Sequence, residues 1–291
     1  AIAAIDYMKT RLVESNADRV NAIERGDTVV VGVNKYTEGE PSPLMSEGGG
    51  IMVVDPATEA EQIERLDDWR ASRDADEVGR ALDDLRAAAA EGRNIMPASI
   101  KAAKAGVTTG EWADVMRVVH GEYRGPTGVA RGVSNKTEGL EDIRAAVDLV
   151  SDKLGHRLKF LVGKPGLDGH SNGAEQIAFR ARDCGMDISY EGIRLSPEQI
   201  VAAAIEQRPD VIGLSILSGS HVPLIDQVMD RLRAGNLGHI PVMVGGIIPD
   251  DDAEKLRGFG VARVYTPKDF ELNRIMMDIV GLLDPTEIAA E

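Results

Sequence analysis

The chain has 291 residues, 33 of them Lys or Arg and 48 Asp or Glu, for a formal net charge of -15. Apolar residues make up 43%, enough for a sizeable core, so wholesale disorder is excluded. The acidic balance argues against nucleic acid or an anionic membrane as partner. The single cysteine, Cys184, excludes an intramolecular disulfide framework and a Cys-rich zinc site, and it fits a reducing cytoplasm.

No apolar run reaches the roughly 18–20 residues that a membrane-crossing helix needs. The chain opens on Ala-Ile-Ala-Ala-Ile, without Met and already in helical rhythm, which reads as a start inside a structured region. Residues 2–25 read as one helix ended by Gly26. Thr28–Val33 follows, apolar on both faces, and reads as a strand buried in a parallel sheet or barrel. Such a strand needs neighbours. The first 150 residues offer one other short candidate, Ile51–Val54, after a Gly-rich loop over Thr37–Gly50. The rest of this half reads as helices at about 57–72, 74–91, 97–106 and 109–123. An orphan strand either pairs with another chain, sits at the edge of a helical domain, or has lost most of its own domain, and the mid-helix start favours the last. Residues 125–140, rich in Gly and polar side chains, read as a linker, followed by a short helix at about 141–154.

From Arg157 onward, strands and helices alternate. Strands read at Leu158–Val162, Asp187–Tyr190, Val211–Leu214, Pro241–Val244 and Ala262–Tyr265, with helices at about 172–184, 197–207, 221–234, 250–258 and 269–283. Short apolar runs between amphipathic helices are the signature of a parallel sheet covered on both faces. The expected fold is a flavodoxin-like, Rossmann-like five-stranded parallel sheet, with its ligand beyond the carboxyl ends of the strands.

Small and polar residues gather at those ends. Gly163-Lys164-Pro165-Gly166-Leu167-Asp168-Gly169-His170-Ser171-Asn172-Gly173 follows the first strand, Ser215-Ile216-Leu217-Ser218-Gly219-Ser220-His221 the third, Gly245-Gly246 the fourth and Tyr265-Thr266 the fifth. The first loop is not a P-loop, because Gly169 is followed by His170, and its glycines miss the dinucleotide spacing. In an extended segment Asp168 and His170 point the same way. Asp168 would then accept a proton from one imidazole nitrogen and leave the other facing the cleft, with Lys164 extending the relay. A loop histidine capping the next helix fits the same spacing, and spacing alone leaves both readings open. No second ligand sits at zinc spacing, so a lone histidine ligand makes sense where an organic macrocycle supplies the rest.

Taken together, Asp168-Gly-His170-Ser-Asn-Gly173, Ser215-Ile-Leu217 and Gly245-Gly246 resemble the three-part pattern of cobalamin-binding domains, in the right order and at the right strand ends. The wording Lys164-Pro-Gly-Leu-Asp168-Gly-His170 and Ser215-Ile-Leu-Ser-Gly-Ser-His221 resembles the coenzyme-dependent acyl-CoA mutases of the methylmalonyl-CoA mutase family, the ethylmalonyl-CoA mutases most nearly. Gly32-Val-Asn-Lys35-Tyr36 resembles the end of the substrate barrel of these enzymes.

The resemblance implies the C-terminal portion of such a mutase. Residues 1–124 would be the helical remnant of a TIM-barrel substrate domain with its connector, 125–156 a linker and 157–291 the cobalamin-binding domain. The cofactor would be adenosylcobalamin. His170 would be the lower cobalt ligand, replacing the cofactor's own base, with Asp168 holding its tautomer and Lys164 backing Asp168. Gly169 and Gly173 would lie against the cofactor, and Ser215, Leu217, Gly219, Gly245 and Gly246 would line the slot for the displaced nucleotide tail, with Tyr265 and Thr266 beside its base. The acyl-CoA substrate would bind the missing barrel, in a homodimeric cytoplasmic enzyme served by a GTPase metallochaperone, and this portion would hold no catalytic residue of its own. A cobalamin carrier or sensor shares the same three pieces and is the alternative; the Val-rich strand does not belong to the helical bundle expected there.

Overall fold

The structure, a computed structural model, describes residues 4–38, 55–122 and 139–283. Two compact units divide the chain: residues 1–39 with 125–291, and residues 40–124. The sequence candidates over Thr37–Gly50, Ile51–Val54 and the linker at 125–140 lie mostly or wholly outside the described residues.

The larger unit contains a five-stranded parallel sheet. Its strands are β1 (Lys159–Pro165), β2 (Asp187–Leu195), β3 (Val211–Ile216), β4 (Val242–Gly246) and β5 (Arg263–Tyr265), in the spatial order β2-β1-β3-β4-β5. This is the flavodoxin-like arrangement expected from the sequence. Alternate strand residues feed opposite layers, as the two-residue period of a strand requires. Phe160, Val162, Val211 and Met243 pack against α6 (Leu140–Leu154), α7 (Asn172–Asp183) and α11 (Leu272–Leu283). Leu161, Ile212, Leu214, Val242 and Val244 pack against α8 (Pro197–Gln207), α9 (His221–Ala234) and α10 (Asp250–Gly258).

Local sequence sets the helix starts. Ser196 and Gln199 form a capping box on α8, with Pro197 in its first turn. The acidic run Asp250-Asp251-Asp252 occupies the first turn of α10, against the positive end of the helix dipole. Cys184, just after α7, is fully buried, and burial pushes its thiol up to about 11; it behaves as a small core residue.

The first segment of this unit corrects one expectation. Helix α1 (Ile5–Glu24) forms as expected, but Thr28–Val33 makes no strand. Only an isolated bridge joins Val31 to Lys35 around a turn. The Asn34 side chain explains why. It accepts from Val30 N–H (2.8 Å) and donates to the carbonyls of Ile23 and Thr28 (2.8 Å each), so backbone groups that a strand would pair with a neighbour are satisfied locally. Gly32 takes the left-handed conformation this turn requires (φ 78°).

The smaller unit is helical: α2 (Pro56–Ser72), α3 (Ala75–Ala90), α4 (Met96–Lys104) and α5 (Thr109–His120). Asp55 and Asp74 cap α2 and α3, and Thr108 with Glu111 forms a capping box on α5. Leu85, Ala88, Ala98 and Val115 make a small core with Trp112, whose indole N–H donates to Ser99 Oγ (2.9 Å). Trp69 is half exposed and ties α2 to the Gly106 carbonyl (3.0 Å). Among the described residues no helix is long and apolar enough to cross a membrane.

Candidate functional site

The carboxyl ends of β1 and β3 bring Lys164, Asp168, His170 and Ser215 into one hydrogen-bonded chain. The Lys164 ammonium is fully buried and donates to Asp168 Oδ2 (3.1 Å), the Ser215 carbonyl (2.9 Å) and Ser215 Oγ (3.2 Å). Three acceptors thus use its three protons. Asp168 Oδ2 also accepts from Leu217 N–H (2.9 Å), while Asp168 Oδ1 accepts from His170 N–H (3.0 Å) and meets His170 Nδ1 at 2.7 Å.

Burial alone would raise the pKa of the Asp168 carboxyl, but the backbone N–H groups of His170 and Leu217, the imidazole and the Lys164 ammonium together hold it far below the usual carboxylate range. Burial pushes the Lys164 ammonium down, opposed by Asp168. An ionised Asp168 accepts only, so His170 Nδ1 is the donor of this pair, and in the neutral imidazole that leaves the lone pair on Nε2. The imidazole is 80% exposed above an aspartate that is 3% exposed. A fixed, outward-facing nitrogen donor results.

Beside this relay lies a cavity of about 500 Å³ between the sheet, α7 and α1. Gly173, Ser215, Leu217, Gly245, Gly246, Tyr265 and Thr266 all line it. The paired glycines do different work. A Cβ on Gly245 would meet only Tyr265 Cβ, at 4.0 Å, and so would project into the cavity, whereas one on Gly246 would sit 1.8 Å from the Ile216 carbonyl oxygen on the adjacent strand. Gly245 keeps the cavity open, and Gly246 lets β3 and β4 approach. Tyr265 donates to Asp278 (2.8 Å); burial, then that bond, pushes its hydroxyl pKa far up. Thr266 N–H and Oγ1 donate to Asp269.

Gly169 bridges Asp168 and His170, and a Cβ there would lie 3.4 Å from Arg194 Nη2. Gly219 is not a cavity-lining residue; it lies in the turn before α9, where a Cβ would meet nothing within 4 Å. His221 opens α9 in the interior, bonded to Asp252 Oδ2 (2.9 Å) through Nε2, with Nδ1 at 3.3 Å from the Ser218 carbonyl. It does not line the cavity. Sequence reasoning missed the other wall. Asn16, Arg19, Val20 and Ile23 of α1, with Val30 and Val33 of the turn, also line the cavity, through a long-range contact that no local spacing encodes.

The arrangement sets one exposed imidazole beside a cavity lined by glycines and hydroxyls. Among the described residues no three His, Cys, Asp or Glu side chains gather as a metal site.

Comparison with known proteins agrees along most of the chain. Residues 1–122 match the family model for methylmalonyl-CoA mutase, and residues 158–269 match that for the B12 binding domain. The chain belongs to the methylmalonyl-CoA mutase family. Its second half is a B12 binding domain, which makes cobalamin the cofactor. Within the family it is 65% identical over 291 residues to the ethylmalonyl-CoA mutase of Cereibacter sphaeroides, covering 100% of this chain and 44% of that protein. It is 53% identical over 287 residues to the ethylmalonyl-CoA mutase of Methylorubrum extorquens (98% and 41%). It is 34% identical over 264 residues to a methylmalonyl-CoA mutase of Cereibacter sphaeroides (89% and 36%). The chain therefore spans less than half the length of these relatives.

Proposed function

We propose that this chain is the cofactor-holding part of an adenosylcobalamin-dependent acyl-CoA mutase that rearranges the carbon skeleton of its substrate, of the ethylmalonyl-CoA to methylsuccinyl-CoA type. The observation that carries the reading is the Lys164–Asp168–His170 chain, which presents one bare imidazole nitrogen beside a cavity shaped by glycines. When bound, adenosylcobalamin supplies a cobalt–carbon bond that breaks homolytically, and hence the radical chemistry.

This chain's own residues position that group. His170 would hold cobalt through its imidazole in place of the cofactor's own base. Asp168 fixes the tautomer and raises the basicity of the ligand, as outer-shell carboxylates do for metal-bound histidines. Buried Lys164 keeps Asp168 ionised and tied to the Ser215 backbone. Gly173, Ser215, Leu217 and Gly245 form the walls of the slot for the nucleotide tail.

The reading also assigns residues 1–124 to the mutase barrel and its connector, 125–156 to a linker and 157–291 to cobalamin. The acyl-CoA, a homodimeric assembly, a GTPase metallochaperone and a cytoplasmic setting belong to the whole enzyme. A visible absorption titration with adenosylcobalamin tests the core of it. The native chain should bind with the cofactor's own base displaced, and His170→Ala should lose the histidine-coordinated spectrum and bind about tenfold or more weakly. Identical spectra for the two proteins would remove His170 as the ligand.

A further inference from the structure

Residues 1–39 share a compact unit with the B12 binding domain, and beside the apolar packing of Val13 and Ala17 on Phe179 they make specific polar contacts with it. Lys9 donates to Glu175 Oε1 (2.8 Å) and Ser171 Oγ (3.2 Å), and Gln176 Nε2 donates to the Val13 carbonyl (3.2 Å). Near the other end of α1, Arg180 reaches Asn21 Oδ1 (2.6 Å) and Glu24 Oε2 (3.1 Å), and Glu24 Oε1 accepts from Leu272 N–H (2.7 Å). Glu175 and Arg180 are only 3% and 4% exposed, and each finds an opposite charge on α1. A buried charge needs such a partner, so the position of α1 across α7 is fixed by more than apolar contact.

That position makes α1 a wall of the cavity. Among the described residues that line it, Arg19 is the one cation and Asp269 the one carboxylate. Asp269 is committed to Thr266. Arg19 is exposed and makes no ion pair or hydrogen bond with a described residue. A free surface arginine is ordinary; one at the rim of a largely apolar cavity assigned to a nucleotide tail is a ready anion contact, since the guanidinium fork matches phosphate geometry.

We propose that Arg19 binds the phosphodiester of the cobalamin nucleotide tail, so that α1 forms part of the cofactor site. This rests on the reading that the cavity receives that tail.

Cobinamide, which keeps the corrin ring but lacks the nucleotide and its phosphodiester, separates the two claims. The full chain, Arg19→Ala and Arg19→Lys are titrated with cobalamin and with cobinamide by absorbance. Arg19→Ala should weaken cobalamin about tenfold while leaving cobinamide within about twofold. Arg19→Lys should recover part of the loss, and the loss should shrink as salt is raised. An unchanged cobalamin affinity, or an equal loss for both ligands, would overturn the role of Arg19 while leaving cobalamin binding standing. Equal affinity of the native chain for both ligands would overturn the assignment of the cavity to the tail. Failure of the folded native chain to take up either would remove the proposed function itself.

Discussion

His170 has meaning only through the two residues beneath it. An exposed imidazole is usually a solvated side chain, but this one is held at 2.7 Å by a buried carboxylate that a buried ammonium holds in turn. The sequence showed that Asp168 and His170 could face the same way and left helix capping open. The structure separates the two readings, because the His170 ring bonds Asp168 and α7 receives no side-chain cap. The Ser215 carbonyl as a third partner of Lys164 was beyond the reach of spacing, since it comes from the neighbouring strand. Lys164 and Asp168 form a pair whose one-sided removal strands a buried charge. Asp168→Asn should therefore cost about 3–5 kcal/mol in denaturant unfolding, and adding Lys164→Met should return much of it. A loss below about 1 kcal/mol would mean that the pair is solvated.

Among the elements, strand ends were legible and long-range walls were not. The carboxyl ends of β3, β4 and β5, the residues just beyond β3 and β5 and the first turn of α7 carry the glycines and hydroxyls that line the cavity, and the alternation of strands and helices places all of them on one rim. The Val-rich segment at 28–33 misled because β propensity says nothing about where a partner strand is; local bonds from Asn34 won. The paired glycines allow a direct comparison within β4. Gly246→Ala should destabilise the fold by about 1–3 kcal/mol, because backbone must move. Gly245→Ala should leave stability nearly unchanged and weaken cobalamin about tenfold. Equal effects on folding and binding in both variants would contradict the division of labour drawn here. In the helical unit, Arg73 pairs with Glu111 of the α5 capping box. The side-chain bond from Arg73, assisted by the Thr108 backbone N–H and hydroxyl, holds the Glu111 carboxyl at about 2, down from 4.5. A lowered folded-state pKa gives stability that is fully present above 4.5 and lost as pH falls toward about 2. Glu111→Gln should thus destabilise this unit at neutral pH, with the difference from the native chain vanishing in acid. A difference that persists to the lowest pH would assign the effect to packing instead.

At the scale of the whole molecule, composition excluded classes of function, periodicity gave the α/β half, and three short stretches at strand ends gave the cofactor. What sequence could not supply was the placement of α1, because the ion pairs that fix it join residues more than 150 positions apart, as in Lys9 with Glu175 and Arg180 with Glu24. The division of the chain into compact units depends on those contacts, and so does the cation at the cavity rim. The central claim is that cobalt takes its lower ligand from His170. Electron paramagnetic resonance of the cobalt(II) form of the cofactor, bound to protein uniformly labelled with nitrogen-15, tests it at the metal itself. If the ligand is His170, the nitrogen splitting of the cobalt signal should change from the nitrogen-14 to the nitrogen-15 pattern on labelling, and should disappear or revert to that of the cofactor's own base in His170→Ala. A splitting unaffected by labelling the protein would show that the cofactor keeps its own base, and would contradict the account.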